Sequence, residues 1–328
     1  MVDKVSVIIP THNRPHFLAR AVQSVLAQTY HNVEAVVVDD NMPQSAEREK
    51  TAEVMRQFAD NPRVLYVQGE GKLGGGPARN LGIQASRGTY ITFLDDDDEY
   101  LPEKVEQQLR FTRDHALDMS FTDVYLCDGT GRLVEYRRHT YVNDWSNAAL
   151  MRQHILHSLG PTSTFMARRE AILSVGGFAD VPMGQDFMFM WRMIEYGTRI
   201  GYMPGSQIIQ YLHDGERISV GSNKIKGENR LYELKQTKKQ MLTDEEQRYV
   251  DFRHFAVLAV TSRRSKKPLD AFRYGVHAVC ISPRFFLRET HTLLRNRRHA
   301  KRAGKAQAEQ TQIVRCLPEH AMKGTPEV

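Results

Sequence analysis

The chain has 328 residues, 41% hydrophobic and 26% charged, enough for a sizeable core in one large domain or two. Three cysteines, Cys127, Cys280 and Cys316, stand far apart with no Cys-x-x-Cys pair, which argues against a cysteine-rich zinc site and a disulfide framework. The net charge of +6 is uneven: thirteen Lys/Arg face two acids, Asp270 and Glu289, between Arg263 and Lys305. That asymmetry suits contact with an anionic surface.

No apolar stretch approaches the roughly 18–20 residues that span a bilayer. Met1 to Lys4 runs straight into a strand-like segment, without a basic and apolar leader pattern. A cytoplasmic protein is expected, peripheral on the inner face of the cell membrane if its basic region docks there.

In chain order, Val5 to Ile9 is a β-branched run, and Pro15 stands where a helix would start. Phe17, Leu18, Ala21, Val22, Val25 and Leu26 then form a helical stripe. Strands are expected at Val33 to Val38, Val64 to Val67 and Tyr90 to Leu94, with helices at Glu47 to Phe58 and Pro77 to Ser86. Alternation of this kind gives an α/β, Rossmann-like, mostly parallel sheet flanked by helices. Ligands then bind beyond the carboxyl ends of the strands.

Further along, strands are expected at Met119 to Leu126, Thr162 to Met166 and Ile208 to Leu212, and a helix at Phe187 to Tyr196. After Ser222 the chain reads as a helical extension. Thr243 to Glu246 is a capping-box pattern. Pro268 opens a helix with Leu269, Phe272, Val276, Val279 and Cys280 on one face. The expected organisation is a catalytic domain over 1–222, a basic helical region over 223–302 and a flexible tail over 303–328. Arg284 to Arg302 has an apolar stripe and a dense basic face. That composition fits a helix on an anionic membrane surface, and equally one packed on the catalytic domain with a solvated charged face. No nucleic-acid module accompanies the charge.

The chemistry gathers at strand ends. Leu94 is followed by four carboxylates, Asp95 to Asp98. Two unit charges about 5 Å apart repel by roughly 3 kcal/mol at an effective dielectric near 20, and a bound cation reverses that sign. Read as an extended segment, the run turns Asp95 and Asp97 to one side, where hard oxygen ligands suit Mg²⁺ or Mn²⁺. Asp39-Asp40-Asn41 ends the second strand and can accept from a base N–H or a ribose hydroxyl. Pro10 to Pro15 leads into a helix N-terminus, which favours anions. Gly69 to Gly74 fits Gly-x-Gly-x-x-Gly, but two βα units precede it, whereas a dinucleotide fingerprint occupies the first βα turn. It reads better as a glycine loop that lets Arg79 and Asn80 approach a ligand.

These segments together resemble inverting family 2 glycosyltransferases. The similarity is carried by Val5 to Arg14, Ser24 to Tyr30, Val36 to Asp40, Pro77 to Gly82, Tyr90 to Asp98, Gly176-Gly177-Phe178 and Gln185-Asp186, and covers about residues 4–220. The resemblance implies a glycosyltransferase A fold and a nucleoside diphosphate sugar donor, most often UDP-linked. It implies transfer to a hydroxyl of a glycan or lipid-linked acceptor. By carry-over, Pro10, Thr11, His12, Arg14, Asp40, Arg79, Asp95 and Asp96 handle the nucleotide sugar. Asp95 and Asp97 hold a divalent metal, Mn²⁺ or Mg²⁺, with His213 as a further ligand. Asp186 is the catalytic base. Two departures stand out: Gln185 replaces the acid that often precedes the base, and Asp96 stands where a small residue is common. Trp191 reads as core more than as an acceptor contact. Two other readings are a nucleotidyltransferase, which lacks its phosphate loop after the first strand, and a sugar-nucleotide-binding protein without turnover, which would need no base.

Overall fold

The computed structural model describes residues 3–212 and 221–291. The chain opens with the expected βα alternation: β1 (Val5–Thr11), α1 (Pro15–Leu26), β2 (Val33–Asp39), α2 (Ala46–Arg56), β3 (Val64–Gln68), α3 (Gly75–Ala85) and β4 (Tyr90–Phe93). It continues through β5 (Glu99–Tyr100), α4 (Lys104–Asp114), β6 (Met119–Thr122), β7 (Val124–Asp128), β8 (Leu133–Arg137), α5 (Asn147–His157), β9 (Met166–Arg168), α6 (Arg169–Ser174) and α7 (Gln185–Glu195). Next come β10 (Ile200–Met203), β11 (Ile208–Leu212), α8 (Gly221–Gln236), α9 (Asp244–Arg264) and α10 (Pro268–Ile281). Residues 283–291 are again helical.

Among the described residues the main sheet has the order β10-β6-β9-β4-β1-β2-β3. All its pairings are parallel except those of β9, which is antiparallel to β4 and β6. A smaller sheet has the order β5-β11-β7-β8. Both faces of the main sheet are covered, which is why its strands read as continuous apolar runs. Val5, Val7 and Ile9 of β1 face one core with Leu18, Val22 and Val25 of α1. Ile8 faces the other, with Phe93, Phe121, Phe189 and Trp191. Leu231, Leu242 and Val250, from α8, α9 and the segment between them, join that second core.

Two expected strands come out differently. Met119 to Leu126 is divided at Asp123 into β6 and β7, which belong to different sheets. The buried Asp123 carboxylate anchors the break. It accepts from Tyr202 Oη (2.7 Å), Tyr136 Oη (3.0 Å) and the backbone N–H groups of His139 and Gly205 (both 3.0 Å). In the stretch Thr162 to Met166, Thr162–Thr164 is a 3-10 turn and the strand starts only at Met166. Thr164 closes that turn, its hydroxyl and its N–H both donating to the Pro161 carbonyl.

The register positions the site. Thr11 lies opposite Asp39, and Ile8 opposite Phe93. The segments leaving β1, β2 and β4 therefore emerge side by side at the carboxyl edge of the sheet. In the C-terminal region Thr243 and Glu246 form the expected capping box. No described helix is long and apolar enough to cross a membrane. The stretch 303–328 and most of Arg284 to Arg302 lie outside the described residues. Cys127 and Cys280 are free thiols.

Candidate active site

Asp95 to Asp98 form a turn, not the extended segment expected: the Asp98 N–H donates to the Asp95 carbonyl at 3.0 Å. The turn changes which carboxylates share a side. Asp95, Asp97 and Asp98 each bring one oxygen to within 4.8 Å of the others. Asp96 turns into the protein and is fully buried. It accepts from Thr11 Oγ1 at 2.7 Å and pairs with Arg14 at 2.8 Å. Arg14 also binds Asp97, so one guanidinium from the start of α1 braces two members of the run.

Burial pushes the Asp96 carboxyl up to about 7, against the pull of Arg14. Burial, then Asp95 and Asp97, push the Asp98 carboxyl well above the usual range, although Gln210 Nε2 and the Tyr211 N–H donate to it. On the side of Asp95, Asp97 and Asp98 three carboxylates meet two guanidinium groups, Arg79 at Asp95 and Arg14 at Asp97. A hard oxygen donor set in that state fits a divalent cation.

Arg79 links the acidic run to the downstream block. Its guanidinium donates to Asp95 Oδ1 at 2.5 Å and to Gln185 Oε1 at 2.8 Å. Gln185 therefore serves as the neutral acceptor that holds Arg79. Arg79 projects from the start of the second turn of α3, after the glycine loop. The start of α3 must be glycine at position 76, because a Cβ there would meet the Ala179 carbonyl at 2.4 Å.

Asp40 organises that loop, accepting from the N–H groups of Leu73 (2.6 Å) and Gly74 (2.9 Å). His12 donates through Nδ1 to the Asp40 carbonyl at 2.9 Å, which turns Nε2 away from that bond. Pro10 pairs with Val38 across the sheet. Pro10, Thr11, His12, Arg14, Asp40, Arg79 and Asp95 to Asp97 are therefore brought to one edge. His213 lies outside the described residues.

Asp186 occupies the first turn of α7, after Gly184 in a left-handed conformation (φ 79°). Its Oδ1 accepts from the Phe187 N–H at 2.8 Å. Burial raises its carboxyl above the usual value, Asp95 adds to the rise, and Phe187 N–H and Arg79 oppose it. A cavity of about 300 Å³ opens beside Asp186, lined also by Ser158, Met183, Leu231, and Lys224 and Glu228 of α8. His154, on its wall, donates through Nε2 to the Phe187 carbonyl and accepts from the Leu159 N–H. Burial holds it neutral, with its value down to about 3.

Asn80 has a different place from the one expected. It does not open toward a ligand; its amide clamps Phe178, accepting from the N–H (2.8 Å) and donating to the carbonyl (2.9 Å). Asn80→Ala is expected to strand both backbone groups and cost about 2 kcal/mol of stability, read as a lower urea midpoint. A midpoint equal to the parent's would show that the clamp contributes nothing.

Several site residues gave no signal in the sequence. Arg20 reaches the Asp97 carbonyl at 2.6 Å and lies over the Tyr211 ring at 4.0 Å. Gln210 and Tyr211 hold Asp98 from β11, more than a hundred residues away. Arg48 is buried and donates to the carbonyls of Asn41 and Gly69. Its Nε also lies 3.4 Å from the Asp39 carboxylate.

The comparisons with known proteins agree with this architecture. Residues 6–177 match the family described as glycosyl transferase family 2. An uncharacterized glycosyltransferase of Rickettsia bellii is 36% identical over 132 residues, covering 40% of this chain and 18% of that protein. One of Methanocaldococcus jannaschii is 30% identical over 141 residues, 42% of this chain and 47% of the relative. The match thus spans from a fifth to a half of the length of these curated relatives. Among solved structures, residues 1–349 of S. aureus TarS in complex with UDP-GlcNAc align with a TM-score of 0.57 and 16% identity. That alignment covers 82% of this chain and 89% of the TarS fragment. The fold is the glycosyltransferase A fold, and this chain belongs to glycosyl transferase family 2.

Proposed function

We infer that the protein is an inverting glycosyltransferase that moves a sugar from a UDP-linked or other nucleoside diphosphate donor to a hydroxyl of a glycan or lipid-linked acceptor. The observation that carries this reading is the Arg79 guanidinium, which joins Asp95 to Gln185, the neighbour of Asp186. It ties the anion-handling end of the site to its base. The UDP-GlcNAc complex of the similar TarS fragment supports a UDP-linked donor.

In this reading Asp95, Asp97 and Asp98 hold Mn²⁺ or Mg²⁺. A divalent ion held there would supply positive charge to the departing diphosphate. Pro10, Thr11 and His12 line the nucleotide pocket. Asp40 shapes the glycine loop over it, with its backbone carbonyl and carboxylate already engaged within the protein. Arg79 adds positive charge where the departing diphosphate gains negative charge. Asp186 takes the proton from the acceptor hydroxyl as that oxygen attacks C1 from the face opposite the diphosphate. The C1–diphosphate bond breaks as the new glycosidic bond forms. One displacement inverts the anomeric centre, so an α-linked donor yields a β-linkage. The cavity beside Asp186 receives the acceptor, and Lys224 and Glu228 supply its polar wall. The catalytic domain is assigned to residues 1–222, with α8 and α9 of the 223–302 region adding a wall of the acceptor side.

The test is release of nucleotide from UDP-, GDP- and dTDP-sugars with Mn²⁺, with and without EDTA. Turnover that requires the ion and returns when it is restored is the expected outcome. A donor screen without any EDTA-sensitive turnover would sink the assignment.

A pH dependence follows from Asp186. The base must be ionised to act, and its carboxyl is raised by burial. A raised carboxyl is protonated at a higher pH than usual, so activity is lost earlier as pH falls. The acid limb of kcat/KM is expected above the ordinary aspartate value of about 3.9. A limb at or below that value would count against Asp186 as the base.

A further inference from the structure

Helix α10 is apolar on two opposite sides. Tyr274, Ala278 and Ile281 turn toward α9, where they meet Phe252, Phe255 and Ala256. The other side carries Leu269, Phe272, Val276 and Val279, spaced i, i+3, i+7, i+10 along one stripe. Their exposures are 79%, 71%, 44% and 37%. The sequence shows that these residues share a face; in the structure that face stays exposed. The helix over 283–291 continues the pattern, burying Phe285 while Phe286 and Leu287 stay 43% and 66% exposed. A run of large exposed apolar side chains on adjoining helices marks an interaction surface.

Charge identifies the partner. Residues 263–291 contain seven Lys/Arg and two acids, a net of +5 in a chain of net +6. Glu289 is already engaged by Arg253 and Tyr249. Asp270 lies in the first turn of α10, where the helix N-terminus compensates it. Arg263, Arg264, Lys266 and Lys267 lead into the helix, Arg273 borders its apolar stripe, and Arg284 and Arg288 follow. The heptad-like spacing would also suit a second copy of the chain, but two such surfaces repel one another. An apolar stripe set among cations is the composition of an interfacial helix on anionic lipid.

We propose that the face formed by α10 and residues 283–291 docks the protein on an anionic lipid bilayer. The apolar stripe enters the headgroup boundary and the arginines and lysines meet lipid phosphates. Of the two readings that the sequence left open for Arg284 to Arg302, this proposal takes the membrane one and starts the basic segment at Arg263; residues 292–302 lie outside the described residues. This inference stands apart from the reading of the active site.

The experiment is flotation of the full chain with vesicles of neutral phosphatidylcholine and with vesicles containing about 30% phosphatidylglycerol. Binding to the anionic vesicles is expected to exceed binding to neutral ones by at least about tenfold at low salt, and to fall when the Debye length shrinks to about 3 Å at 1 M salt. Leu269→Glu with Phe272→Glu, at highly exposed positions, is expected to lower binding by about tenfold or more with an unchanged circular dichroism melt. A charge variant, Lys266→Glu with Lys267→Glu, is expected to remove the preference for anionic vesicles. Three outcomes overturn the proposal. One is equal binding to both vesicle types. Another is undiminished binding by the Leu269/Phe272 variant. The third is no vesicle binding, whether the face is covered by residues 292–328 or by a second copy; a concentration-dependent dimer abolished by the same variant would identify the latter.

Discussion

Asp186→Asn is expected to lower kcat by about 10²–10⁴-fold, the range that a positioned general base contributes, while donor affinity stays within about threefold of the parent's. The amide keeps the volume of the carboxylate and can still accept the Phe187 N–H through its oxygen, so the N-terminal turn of α7 should hold. What it loses is the capacity to take a proton. The separation of kcat from donor binding is the informative part, because a merely structural aspartate would damage both. Single-turnover transfer and calorimetric donor titration with Mn²⁺ measure the two quantities. Turnover within tenfold of the parent's would remove Asp186 from the base role.

Asp95→Ala is the second large effect expected, a fall in kcat of about 10²–10³-fold with a higher concentration of Mn²⁺ needed for half-maximal activity. Two functions are lost together. Asp95 is one of the three carboxylates that can share a cation, and it is the acceptor that orients Arg79. Asp96→Asn makes the useful contrast. Asp96 is turned to Thr11 and Arg14, away from the other three, so its loss should appear chiefly as a lower Tm, with the Mn²⁺ requirement little changed. Activity titrated against Mn²⁺ for both variants separates the roles. If Asp96→Asn shifted the metal dependence as far as Asp95→Ala, the division of the run would be wrong.

Much of the frame was legible in the chain. The strands β1, β2 and β4 are short runs rich in β-branched and other apolar residues, each ended by acids or by a proline and polar residues, and a buried parallel strand is the natural reading of such a run. The strand around Thr162 was misread because hydroxyl side chains that favour strands also close turns on a preceding carbonyl, as Thr164 does on Pro161. The long strand from Met119 was misread because nothing local announces that Asp123 will gather four donors from distant segments.

The site shows the same division. Asp95, Asp97, Arg79 and Asp186 stand out as candidates by motif and position, because residue type carries the chemistry proposed for them. Which carboxylates face one another does not, since that depends on whether the run is extended or turned. The turn added Asp98 to Asp95 and Asp97. Arg20, Gln210 and Tyr211 join the site across separations of 77 to 113 residues, over which local periodicity carries no information.

The sequence by itself determined the apolar alternation that makes the sheet, the family, and the residue types at the strand ends, because each is written in local pattern and spacing. Only the tertiary structure decided partners. It bound Gln185 to Arg79, closed Asn80 on Phe178, buried Asp96, and turned the large apolar stripe of α10 outward. The physical reason is common to all four: periodicity says which residues share a face, and packing alone says what that face meets.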